Sequence, residues 1–191
     1  LLRSVSNRSY KILKKRKLLR LPSVRTINRL LCEFKVEPGM QNDAIDVLVA
    51  KHSDDPKDSH CFLAFDEMQL SERWTYDQIN KRAVLPGKKF QCVMVRGLFT
   101  RWKTPVYLGV DEPMTLETIS NIITTLEEKG FKVWGVTMDL GNQAFLSEVD
   151  FYDGQYFFQN PFDPTRRCYI IPDVPHCFKL LRNHLFDKGF F

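Results

Sequence analysis

Two apolar runs in this chain each end in one aspartate. Phe62-Leu63-Ala64-Phe65 leads into Asp66, and Val133-Trp134-Gly135-Val136-Thr137-Met138 leads into Asp139. Apolar runs of this length read as buried strands. A carboxylate at the end of a buried strand is costly unless something compensates its charge. Two of them, 73 residues apart, suggest strands that converge on a divalent cation, because hard cations take oxygen ligands of this kind. Paired ions in such a site can activate a water and stabilise a displaced phosphate oxygen. Taken singly, either aspartate could also be an exposed strand-end cap.

The elements that would position this pair can be read along the chain. From residue 60 the order is strand, strand, strand, helix, strand, helix, strand, helix. The strands are expected at about 60–66, 89–98, 104–110, 131–138 and 168–171. Between the first two, 70–88 contains Trp74, Tyr76 and a Leu85-Pro86-Gly87 turn, which suits an irregular hairpin arm. Residues 115–129 form an amphipathic helix with Leu116, Ile119, Ile122, Ile123 and Leu126 on one face, ended by Gly130. A short helix is expected after Gly141, and a closing helix at 175–188 has Pro175 in its first turn. Three antiparallel-capable strands followed by alternating helices and strands give an α/β layout with a mixed sheet. It is the order of the ribonuclease H (RNase H) fold, in which one acidic residue sits on the first strand and another just after the fourth. Asp66 and Asp139 occupy those two places.

Upstream, 6–18 has helical character with Tyr10, Leu13 and Lys17 on one side, and Leu21-Pro22-Ser23 breaks it. Ser23 suits an N-cap for a second helix carrying Val24, Ile27, Leu30 and Leu31. Two short basic helices around a tight turn read as helix-turn-helix; a basic, solvated arm is the plainer alternative. The domain reading is therefore a helix-turn-helix segment at 1–34, a linker at 35–59 in which 42–51 could form a helix, and the N-terminal part of an RNase H-like domain at 60–191.

The overall charge of +5 hides an asymmetry. Residues 1–29 hold ten Lys or Arg and no acid, leaving the remaining chain at −5. A basic arm on an acidic body suggests that the arm meets a polyanion. Lys14, Lys15, Arg16, Arg25 and Arg29 are the expected phosphate contacts. The five cysteines, Cys32, Cys61, Cys92, Cys168 and Cys177, form no Cys-x-x-Cys pair, and their number is odd. That usage suits a reducing, intracellular setting. No apolar run is long enough to cross a membrane, and no signal peptide is expected. A start at Leu1 rather than Met suggests a fragment.

At the level of whole motifs the chain resembles the P-element transposase family, which includes the THAP-domain transposases. The helix-turn-helix part matches through Tyr10, Leu13 and Leu21-Pro22-Ser23-Val24-Arg25-Thr26-Ile27. The nuclease-like part matches through Phe65-Asp66-Glu67-Met68, the stretch from Val95 to Val106, Asp139-Leu140-Gly141-Asn142, and the stretch from Asp173 to Asn183. The resemblance implies a cut-and-paste DNA transposase with an Asp-Asp-Glu triad that uses Mg2+ (or Mn2+). Asp66 and Asp139 match the first two positions, as catalytic residues and metal ligands. The third carboxylate follows an inserted GTP-binding domain, expected only downstream of Phe191, and the zinc-binding THAP domain is expected upstream. DNA (transposon ends and target) would be the partner, the full-length protein a homo-oligomer, and the location the nucleus; no membrane association is implied. The fragment alone is expected to be inactive.

Neighbouring residues have competing roles. Glu67 should point away from Asp66 if the strand continues. Glu148, Asp150 and Asp153 could donate a third carboxylate but read better as a solvated loop. Asp173 is a closer rival, at the end of the fifth strand, although its plain role is a helix cap. His176, Lys179 and Asn183 fall near one helix face. Related transposases carry a histidine that approaches DNA, so His176, Lys179 and Arg182 are DNA-contact candidates, while packing or capping would equally explain the histidine. Arg101-Trp102-Lys103 suits phosphate contact with stacking, but a hairpin end with a buried Trp is favoured. Two functions from different classes follow. One is the N-terminal part of a DNA-cutting transposase; the other is a domesticated or truncated non-catalytic protein that binds DNA or protein.

Overall fold

The computed structural model describes residues 6–31, 36–52, 56–71, 74–77, 81–84, 87–139, 142–152 and 154–189. The chain divides into two compact units, Leu1–Val36 and Glu37–Phe191.

In the first unit, helix α1 (Asn7–Lys15) starts where the Ser6 side chain accepts from the Ser9 N–H. Tyr10 is buried, and its hydroxyl donates to the Pro22 carbonyl at 2.6 Å, which pins the connection back onto the helix. The helix closes when the Arg16 N–H bonds to Ile12 O and the Leu18 N–H to Leu13 O. Lys17 takes a left-handed conformation there (φ 53°), so it lies beyond the helix rather than on its apolar side as expected. Helix α2 (Val24–Leu31) begins at Ser23, whose Oγ accepts from the Thr26 N–H at 2.9 Å. The expected pair of capped helices is therefore present.

The second unit is built on an eight-stranded mixed sheet, ordered β1-β6-β5-β2-β7-β10-β9-β8. Its strands are β1 (Gly39–Met40), β2 (His60–Gln69), β5 (Lys89–Gly97), β6 (Lys103–Val110), β7 (Lys132–Met138), β8 (Asp150–Tyr152), β9 (Gln155–Gln159) and β10 (Arg167–Pro172). A separate hairpin, β3 (Thr75–Asp77) with β4 (Arg82–Val84), joins β2 to β5. The helices are α3 (Asn42–His52), α4 (Leu116–Glu128), α5 (Gln143–Ser147) and α6 (Val174–Lys188). The β2–β5–β6 meander is antiparallel, whereas β7 runs parallel to both β2 and β10.

Alternation explains the core. Cys61, Leu63 and Phe65 of β2, and Val93 and Val95 of β5, point inward at every second position. On β7 the inward residues are Val133 and then Val136, three apart, and the β2–β7 register shifts at the same place. Gly135 sits in that irregularity; a Cβ there would meet the Tyr169 carbonyl oxygen at 2.1 Å, so only glycine lets β10 approach. Ile119, Ile122, Ile123 and Leu126 of α4 join the same cluster with no exposed surface. Each such burial contributes about 1.5–3 kcal/mol.

Two expectations change. Within the segment expected as a linker at 35–59, the described residues 37–52 belong to the sheet unit: β1 pairs with β6, and α3 buries Ile45 and Leu48 in the sheet's core. The region expected as a solvated loop after Asp139 contains the β8–β9 hairpin, which extends the sheet past β10. The closing helix α6 is present, but none of its residues is buried, and Phe178, Leu181 and Phe186 are exposed.

Candidate active site

Parallel pairing of β2 with β7 sets the site. Leu63 lies opposite Val136, and Ala64 opposite Thr137. Two residues further along each chain come Asp66 and Asp139, so both leave adjacent strands at the same end of the sheet. They line one cleft of about 600 Å³. Asp66 is exposed and Asp139 is half-buried. Asp66 also lies opposite Cys92 on β5, and its Oδ1 accepts from the Glu67 N–H at 2.8 Å.

The cleft wall adds Asp111 and Glu112, which sequence reasoning passed over, and Glu67, which lines the same cleft as Asp66 although β2 continues through both. Glu67, Asp111 and Glu112 bring the carboxylates lining the cleft to five, against one cation, Lys89. Most of the added acids have structural partners. Asp111 Oδ1 accepts from the Lys88 and Lys89 N–H groups at 2.7 and 2.8 Å. Glu112 accepts from the Tyr107 hydroxyl at 3.2 Å. Burial first, then the Glu112 charge, pushes the Tyr107 hydroxyl up from its ordinary range. Glu67 is held by Lys89 Nζ at 2.9 Å and by Gln91 Nε2 at 3.3 Å. Its hydrogen bond to Lys89 keeps the Glu67 carboxyl below the usual range. Gln91 is buried in the inward phase of β5, and a polar residue at an inward position was the signal that could have marked this wall.

The remaining candidates have other roles. Glu148 lies in the exposed turn after α5, and its Oε2 accepts from the Leu116 N–H at 2.9 Å, satisfying an open donor in the first turn of α4. Asp150 opens β8 and is exposed, while Asp153 lies outside the described residues. Asp173 is the N-cap of α6 and accepts from the His176 N–H. Trp102 is buried beside Phe131 and His52, so the Arg101-Trp102-Lys103 turn is structural at its tryptophan.

The DNA-contact candidates fall in different places. Lys15, Arg16, Arg25 and Arg29 are exposed in the first unit, the last two one turn apart on α2. Lys14 is half-buried and donates to the Pro22 carbonyl at 3.1 Å, so it also serves the turn. On α6, Lys179 and Arg182 are exposed and His176 is partly covered; Arg182 donates to the Asn183 side chain.

Asp66 and Asp139 fit a hard divalent cation in donor type and in facing one cleft. Among the described residues, no group of three or more His, Cys, Asp or Glu is arranged to hold a metal ion. The pair alone would thus offer two ligands and not a complete coordination sphere.

With this geometry established, three likenesses bear on the chain. The family described as TNP-like, RNase H N-terminal domain matches residues 36–85, beginning before β1 and α3. The Drosophila melanogaster transposable element P transposase is 34% identical over 171 residues, which is 88% of this chain. The solved Drosophila P element transposase strand transfer complex superposes with a TM-score of 0.80 at 32% identity, over 99% of this chain. The chain spans 23% of the length of the first relative and 44% of the solved chain. The sheet unit has the RNase H-like fold of that structure. In sequence and in fold alike, this chain belongs to the P element transposase family.

Proposed function

We propose that this chain is the DNA-handling and N-terminal catalytic part of a DNA transposase that hydrolyses phosphodiesters and transfers strands. One observation carries the reading: Asp66 and Asp139 leave adjacent parallel strands into one cleft. Both carboxylates would hold divalent metal, Mg2+ or Mn2+, which would supply Lewis-acid stabilisation of the phosphate and activate the attacking oxygen. Around them, Lys89 holds Glu67, and two backbone N–H groups hold Asp111. These bonds fix the wall beside the two aspartates.

The first unit supports DNA binding. Its two capped helices read as a helix-turn-helix, with Lys15, Arg16, Arg25 and Arg29 exposed for phosphates. The relative of known structure is a strand transfer complex, and the same class of partner suits this basic arm. Such a substrate implies a nuclear site of action.

Calorimetric titration of the chain with Mg2+ and Mn2+ tests the reading. The wild type should bind weakly, and Asp66→Asn or Asp139→Asn should abolish binding while leaving the circular dichroism spectrum intact. Metal binding unchanged in both variants would reject the metal site. DNA binding that persists alongside would then favour a non-catalytic DNA-binding protein.

A further inference from the structure

The β3–β4 hairpin has no part in the site as described so far. It leaves the main sheet where β2 and β5 end: Gln69 pairs with Lys89, and the Leu70 N–H donates to the Lys88 carbonyl at 2.8 Å. The same two strands carry Asp66, Glu67, Lys89 and Gln91 in the cleft wall. The hairpin thus springs from strands that line the wall and forms a two-stranded ribbon of its own.

Its composition departs from that of the unit that bears it. Trp74 is 71% exposed and Tyr76 is 61% exposed. Tyr76 lies in β3 and Trp74 immediately before it; they are two positions apart, the spacing that puts strand side chains on one face. A two-stranded ribbon leaves such rings without a core to enter. Charge points to what they meet. Residues 74–88 hold Lys81, Arg82 and Lys88 against the single acid Asp77, whereas residues 30–191 as a whole carry −5. Basic residues with interleaved exposed aromatics match a nucleic-acid strand, whose phosphates take the cations and whose base faces take the rings. Bases present their faces only where they are unpaired.

We infer that the β3–β4 hairpin is a DNA-contacting arm whose Trp74 and Tyr76 stack on unpaired bases next to the strand held at the Asp66–Asp139 cleft. This rests on the reading that the cleft takes DNA. The arm deepens that reading by naming the substrate form: a strand with unstacked bases beside the reacting phosphate, rather than an intact duplex.

The test uses the full 191-residue chain and two DNA probes of equal length, one blunt and one with an unpaired tail carrying 2-aminopurine. Wild type should bind the tailed probe about tenfold tighter than the blunt one and change the 2-aminopurine fluorescence. Trp74→Ala/Tyr76→Ala should lose the preference and the fluorescence change while keeping blunt-probe affinity. Trp74→Phe/Tyr76→Phe should retain both, since an aromatic face remains. Both side chains are exposed, so circular dichroism should be unchanged in either variant. If the alanine variant keeps the preference and the fluorescence change, or if wild type shows no preference, the arm is overturned while DNA binding stands. If wild type binds neither probe, the DNA reading falls and the arm falls with it.

Discussion

The Asp173 backbone N–H donates to the Met138 carbonyl oxygen at 2.8 Å. This bond ties the start of α6 to the residue immediately before Asp139, which brings a further acidic residue close to Asp139. Yet the Asp173 side chain accepts from the His176 N–H and caps the helix. The cap reading predicts that Asp173→Ala destabilises the chain by about 1 kcal/mol and that Asp173→Ser restores most of it. Metal affinity should not change in either variant. Urea denaturation and calorimetry separate the two roles, because a metal ligand would lose affinity in the serine variant as well.

The legible part of the site followed from period and punctuation. Asp66 and Asp139 stood out because each ended an apolar run, and strand order then placed those runs side by side. Tyr10 announced the first unit through helical spacing, and Ser23 through capping chemistry. Long-range pairing was not legible. Nothing local to Gly39-Met40 says that it adds an edge to β6, or that the helix after it covers the sheet. The β8–β9 hairpin was missed because its strands are short, at three and five residues, and are separated by two residues. Asp111 was invisible for a similar reason: it is fixed by backbone donors 22 and 23 residues away.

A buried ion pair anchors the opposite end of α4. Glu127 is buried; its Oε1 accepts from the Val133 N–H and the Asn160 side chain, and its Oε2 from Arg166. Removing one partner of a buried pair leaves the other charge uncompensated, which costs about 3–5 kcal/mol. Arg166→Met should therefore lower the unfolding free energy by roughly that amount. A double variant that also carries Glu127→Leu should recover part of the loss. Urea denaturation of the single and double variants measures the coupling, and simple additivity would refute it.

The same network gives a pH signature. Hydrogen bonds from Thr165 first, and then from Arg166, hold the Asp163 carboxyl at about 2, below its ordinary 3.8. A depressed folded pKa contributes stability above the unfolded value and loses it as pH falls through the folded one. The Asp163 contribution should therefore be complete above about pH 4 and vanish towards pH 2. Urea midpoints of wild type and Asp163→Asn should differ at pH 5 and converge near pH 2. A constant difference across that range would count against the assignment.

The exposed arginines of α2 should act on DNA through phosphates. Arg25→Ala/Arg29→Ala should weaken binding to all sequences alike. Each lost phosphate contact removes roughly 0.9 from the slope of log affinity against log salt concentration. A titration between low and physiological salt reads that slope directly. An unchanged slope would remove these two residues from the interface.

The chain as it stands should bind metal weakly and leave DNA uncut. Two carboxylates can hold an ion, but an in-line displacement through paired ions needs further ligands to fix both ions and their geometry. Other candidate acids are engaged: Glu67 by Lys89 and Gln91, Asp111 by backbone N–H groups, Glu112 by Tyr107, Glu148 by the first turn of α4, and Asp173 by its own helix. Freeing any of them would open a cap or break an ion pair. Supercoiled plasmid incubated with the purified chain and Mg2+ or Mn2+ should stay supercoiled. Metal-dependent nicking that disappears on Asp66→Ala would overturn this. In that event the third ligand must be one of the occupied acids, and Glu148→Gln and Asp173→Ser would identify which.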